Sequence, residues 1–153
     1  MSTTYNTVFE VFLQKISDVF LGDLLSATPL LAESRMSGWL RSAIVKFDNC
    51  KSDLSNRSDS GKTFNITLSD YEIEILAYFM GYEWADPEIK NVLNLRQILG
   101  DAAFKLTSQA NHLKELREFK KMMLDEAQYW KVQYSYVTSD PTATNTNPLS
   151  DLG

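Results

Sequence analysis

From Ser108 to Tyr136 the chain runs 29 residues without a glycine or a proline. Leu113, Leu116, Met123, Ala127, Trp130, Tyr134 and Val137 recur there at three- and four-residue spacing. That periodicity predicts a single α-helix with one apolar seam, and at 1.5 Å per residue it is a rod of roughly 43 Å. Lys120 is the one polar residue in the register, while Phe119, Met122 and Leu124 lie off it. The pattern therefore predicts a bundle helix rather than one strand of a simple coiled coil. Globular helices average about three turns, so a rod of this length in a 153-residue chain implies neighbours beyond the chain itself.

The rest of the chain supplies helices for this rod to pack against. A first helix is expected from about Thr7, with Glu10 as the second half of a capping box and Phe9, Phe12, Leu13 and Ile16 as its buried stripe. Gly22 is expected to end it or bend the chain beyond it. Thr28 before Pro29 has the form of an N-cap and first-turn proline. In the helix so opened, Met36, Leu40, Ala43, Ile44 and Phe47 share a face flanked by Trp39, and it should fade between Cys50 and Leu54. Residues 55–63, SNRSDSGKT, read as a mobile loop, and Thr63 to Leu68 as a short strand or β-arm that must pair with another segment. Ser69 and Glu72 have capping-box spacing, with Leu68 and Ile73 as a hydrophobic staple. The third helix they open carries Ile73, Leu76, Ala77, Met80 and Trp84 on one side and Tyr71, Ile75, Tyr78, Phe79 and Tyr82 on the other. A helix apolar nearly all round is central to a fold or covered by a partner. Asp86-Pro87 reads as the start of a short fourth helix that Gly100 stops. The expected architecture is an all-α bundle of four or five helices in one domain, residues 1–137. A flexible polar tail, 138–153, completes the chain.

Composition narrows the functional classes. The chain is 44% hydrophobic, which is ordinary for a folded protein, and its net charge of −5 provides no basic field to recruit nucleic acid. The acidity is concentrated in residues 67–107, where seven carboxylates face three basic side chains. A lone cysteine, Cys50, excludes an internal disulfide and fits a reducing compartment. Neither a secretory leader nor an apolar run of about 20 residues is evident, so a soluble protein made inside the cell is expected, with no membrane partner.

Chemical motifs are sparse. Ser60-Gly61-Lys62-Thr63 looks like the end of a phosphate-binding loop, but Asn56 stands where the first glycine of that motif belongs and no buried strand precedes it. His112, the only histidine, has one carboxylate at Glu115 and too few companions for a metal site or a nucleophile. Cys50 lacks a CxxC partner. Glu72, Glu74, Glu83, Asp86 and Glu88 fall mostly at caps or exposed helical positions. The sequons at Asn56 and Asn65 carry no meaning without secretion. Thr28 to Phe47 is not basic enough for a helix-turn-helix reader. No catalytic, cofactor-binding or metal-ligating residue is assigned, and no enzymatic activity is expected. What remains is aromatic: Tyr129, Trp130, Tyr134 and Tyr136 crowd the end of the long helix and point in several directions. Tyr and Trp are favoured interface anchors. Those four, with Leu149 and Leu152 as the only large apolar side chains of the tail, are the candidate interface residues.

The phrases SGWLRSAIVKF (Ser37 to Phe47), LSDYEIEILAYFMGYEWADPEI (Leu68 to Ile89) and SQANHLKEL (Ser108 to Leu116) resemble the helical head–tail connector, or adaptor, proteins of tailed bacteriophages of low-GC Gram-positive hosts. The segment Gly22 to Ser34 departs from that phrasing. The resemblance implies a structural virion protein without cofactors, made in the host cytoplasm and placed at the neck. Its copies would form a ring, typically dodecameric, that docks on the portal protein and receives the stopper or tail-completion protein. Packaged DNA would pass through without sequence-specific binding. The alternative from the residues alone is a small soluble helical regulator that dimerises or binds DNA weakly.

Overall fold

A computed structural model describes residues 1–16, 29–105 and 108–139. Among these the elements run β1 (Thr3–Thr4), α1 (Tyr5–Lys15), α2 (Pro29–Lys46), β2 (Arg57–Ser58), β3 (Thr63–Phe64), α3 (Asp70–Leu99), α4 (Asp101–Lys105) and α5 (Ser108–Ser139). The fold is all-α in character, with one small sheet and a long final helix.

α3 is the axis. It packs against α1, α2 and α5, which explains why its sequence is apolar on so many sides. Ile75, Leu76, Ala77, Phe79 and Met80 are essentially inaccessible to solvent, and they join Phe12, Leu40, Phe64 and Leu116 in one continuous core. Its start is built as the sequence predicts. The Ser69 hydroxyl accepts from the Glu72 N–H at 3.3 Å, and the Glu72 carboxylate accepts from the Ser69 N–H at 2.9 Å. Leu68 and Ile73, the staple pair, are both buried. At the far end Gly100 takes φ of +79° and donates its N–H to Arg96, closing the helix as expected.

Between those ends the expectation of a break at Asp86-Pro87 is corrected: α3 is one helix of 30 residues that runs through Pro87. The Asp86 carboxylate does not cap. It accepts from Lys120 of α5 at 2.7 Å and pairs with Lys90 at 3.1 Å. Ala85 and Trp84 are meanwhile locked in the core. With Ile89 and Val92 buried beyond it, packing on both sides of the proline outweighs the one helical hydrogen bond it removes. The same contact explains Lys120, the polar member of the α5 seam, whose ammonium also lies 4.9 Å from the Tyr82 ring centre. Close approach of α5 depends on Gly81, where a Cβ would sit 2.7 Å from the sulfur of Met123.

α1 begins at Tyr5, two residues before the expected Thr7, because the sheet delivers the chain directly into it. β1 and β2 flank β3 antiparallel, with Thr3 and Arg57 opposite Phe64, and Thr4 and Ser58 opposite Thr63. The Tyr5 N–H is then satisfied by the Lys62 carbonyl, and the Thr7 hydroxyl pairs with Thr4 instead of capping. The β-arm thus pairs within the chain. The segment 55–63 forms its hairpin, tied down by the Tyr5 hydroxyl donating to Asp59 at 2.6 Å and by Arg57 donating to the Leu54 carbonyl. Burial, reinforced by Asp59, pushes the Tyr5 phenol up to about 12. The glycine of Ser60-Gly61-Lys62-Thr63 serves that turn: a Cβ on Gly61 would lie 2.9 Å from the Ser58 hydroxyl.

α2 begins at Pro29 as expected and ends at Lys46, short of the expected fade at Cys50 to Leu54. Phe47 still donates to the Ala43 carbonyl. Leu40, Ala43 and Phe47 are buried, and Trp39 packs 5.8 Å from Phe12. Gly22 and Thr28 lie outside the described residues. α5 continues two residues past the expected domain boundary at Val137, to Ser139.

Candidate docking surface

The aromatic end of α5 is held in place by a buried carboxylate. Glu72 is only 3% exposed, and donors surround it. Besides the Ser69 N–H, it accepts from the Ser52 hydroxyl at 2.8 and 3.0 Å and from the Tyr134 hydroxyl at 2.8 Å. The Cys50 thiol lies 3.6 Å away. The Tyr134 oxygen in turn accepts the Lys51 N–H at 2.8 Å. Three remote segments, the chain after α2, the start of α3 and the end of α5, therefore meet at one anion. Burial alone would raise the Glu72 carboxyl, but the donors from Ser69, Tyr134, Ser52 and Cys50 outweigh it and hold the group below its ordinary value. The neighbours respond oppositely. Burial and then the Glu72 charge push the Cys50 thiol up to about 12, and burial raises the Tyr134 phenol. A thiol so held is a poor nucleophile at neutral pH. The cluster is a clasp.

This geometry separates the sequence-predicted interface residues. Tyr134 is core: it is 2% exposed, packed edge-on to Phe47 at 5.4 Å, and it cannot serve as a surface anchor. Trp130 is half-buried, edge-on to Tyr71 at 6.0 Å and to Tyr129 at 5.1 Å. Tyr129 and Tyr136 are outward, 52% and 67% exposed. Leu149 and Leu152 lie outside the described residues. Sequence reasoning missed two companions, Met122 and Val132, each half exposed. Their signal was present as spacing. Met122, Tyr129, Val132 and Tyr136 are 7, 3 and 4 residues apart, an apolar stripe lying roughly opposite the buried seam of Leu113, Leu116, Met123, Ala127 and Tyr134.

Beside the stripe runs a shallow groove of about 260 Å³ lined by Asp48, Asn49, Gln128, Lys131, Val132 and Ser135. Lys131 spans it, donating to Asp48 at 2.7 Å, and that bond holds the Asp48 carboxyl below its ordinary value. Asn49 donates to the Lys131 carbonyl. On α2 two apolar side chains, Leu30 and Val45, stand out at either end of the helix, 81% and 77% exposed.

His112 is half-buried on α5. Among the described residues no three His, Cys, Asp or Glu side chains are gathered to hold a metal ion, and no helix is long and apolar enough to cross a membrane. The chain matches no protein-family model, no curated protein and no solved structure.

Proposed function

We propose that the chain is a structural subunit of a tailed-phage neck: a non-enzymatic adaptor whose copies form a ring on the portal protein and receive the stopper or tail-completion protein. The observation that carries this reading is the two-faced α5. One seam is spent on the core, while a second apolar and aromatic stripe is displayed along the outside of the same rigid rod. Large exposed aromatics on an ordered helix are the mark of a surface that is covered in use. The resemblance of Ser37 to Phe47, Leu68 to Ile89 and Ser108 to Leu116 to connector proteins supplies the setting. Leu149 and Leu152 are proposed as tail anchors on a neighbour.

Mass spectrometry of purified particles tests the reading. The chain should be present at about a dozen copies per particle, the number the resemblance implies for one closed ring. Its absence from particles, together with dimerisation or salt-sensitive DNA binding by the isolated protein, would replace the adaptor with a regulator.

A further inference from the structure

Building on the ring reading, we infer that adjacent copies pair through two different faces, the outer stripe of α5 on one and the outer face of α2 on the next, laid antiparallel. The occupant of each surface is a second copy of this chain.

The two faces match in length. From Leu30 to Val45 is 15 residues and from Met122 to Tyr136 is 14, so each stripe spans about 21–23 Å. They match in relief, one being knobbed and the other low. The α2 face is low at its centre, where Ser34 is exposed and a Cβ on Gly38 would meet nothing within 4 Å. They match in charge. Asp125 lies among the exposed residues between Met122 and Tyr136, and Arg41 among those between Leu30 and Val45. One antiparallel register satisfies all three conditions together. It sets Leu30 against Tyr136, Ser34 against Val132, Gly38 against Tyr129, Arg41 against Asp125 and Val45 against Met122. The largest knob of the stripe falls on the glycine, and the acid falls on the base.

Neither charge is firmly committed within the subunit. Arg41 lies 3.8 Å from Asp59 and Asp125 lies 3.2 Å from Lys121, both pairs largely exposed. Exposed pairs of this kind contribute little and exchange readily. Because the two faces are different surfaces, the contact is head-to-tail. It propagates from copy to copy and makes a ring when the rotation between neighbours closes, as the neck reading requires, whereas a self-matching face would stop at a dimer.

Disulfide trapping in the full-length protein tests the register. Gly38→Cys and Tyr129→Cys, combined in one chain and oxidised at high concentration or in particles, should give a ladder of covalent oligomers that oxidised wild type lacks. Arg41→Asp or Asp125→Arg added to that pair should each lower ladder yield about tenfold, and the two together should restore it to within about threefold. Melting temperatures should move no more than ordinary surface substitutions move them, since all four positions lie on the outer faces. A product that stops at dimers, no ladder in protein or particles, or a charge swap without rescue would overturn the pairing. Presence in particles without a ladder refutes the pairing alone; absence from particles refutes the neck reading, whatever the ladder shows.

Discussion

Tyr134 and Tyr136 stand two residues apart on the same helix and have opposite fates. Tyr134 is 2% exposed and closes the Glu72 clasp; Tyr136 is 67% exposed on the outer stripe. Residue type does not separate them. Helical phase does: two positions rotate a side chain by about 200°, from the core seam to the solvent face. An aromatic cluster read from sequence is therefore two populations, one buried in the fold and the other on its surface.

The sharpest way to break this distinction is at the inner member. Tyr134→Ala removes a buried ring and leaves the Glu72 carboxylate and the Lys51 N–H each short of a partner, and should cost about 3–5 kcal/mol in denaturant unfolding. Tyr134→Phe keeps the ring and should cost about 1–3 kcal/mol. A loss below about 0.5 kcal/mol for the Ala variant, on the order of an ordinary surface substitution, would show that the clasp is dispensable.

Glu72→Gln probes the same clasp through pH. The folded carboxyl lies below its ordinary value of 4.5, so its contribution is complete above that value and is lost as the pH falls through the lower folded value. Wild type should therefore lose stability on the acid side of 4.5, and the Gln variant should show a shallower slope there. At neutral pH the variant should be about 1–3 kcal/mol less stable. Parallel pH profiles would place the acid sensitivity at other carboxylates.

The smallest effect on stability belongs to the outer stripe. Val132→Ala and Tyr136→Ala should each change unfolding free energy by no more than about 0.5 kcal/mol. The same variants should weaken association between copies, measured by sedimentation, by about tenfold or more. If either destabilised the subunit as much as Tyr134→Ala, the outer stripe would belong to the fold.

Much of the architecture was legible because it is encoded locally. The Ser69–Glu72 box, the Gly100 stop, the α1 and α2 stripes and the α5 inner seam each need only residues a few positions apart. Asp86-Pro87 misled for the same reason. Locally it is indistinguishable from a helix start, and what decides is Lys120, 34 residues away. The clasp was half visible: its capping box could be read, while Ser52 at 20 residues and Tyr134 at 62 could not. The outer stripe is visible in the sequence only when the aromatics are sorted by helical phase, which sets Tyr129 and Tyr136 with Met122 and Val132.

Pro87 has a consequence for how the molecule breathes. It supplies no N–H to the Glu83 carbonyl, so the hydrogen-bond ladder of α3 has a gap near its middle. Before the gap lie the deepest side chains of the helix; after it only Ile89 and Val92 are buried, and Ile98 is 80% exposed at the end. Unravelling that starts at Gly100 meets a natural stop at the proline, because the turns on either side share fewer bonds. The second half of α3 should therefore exchange its amide hydrogens as a separate, shallower unit, opening and reclosing while the Glu72 clasp stays shut.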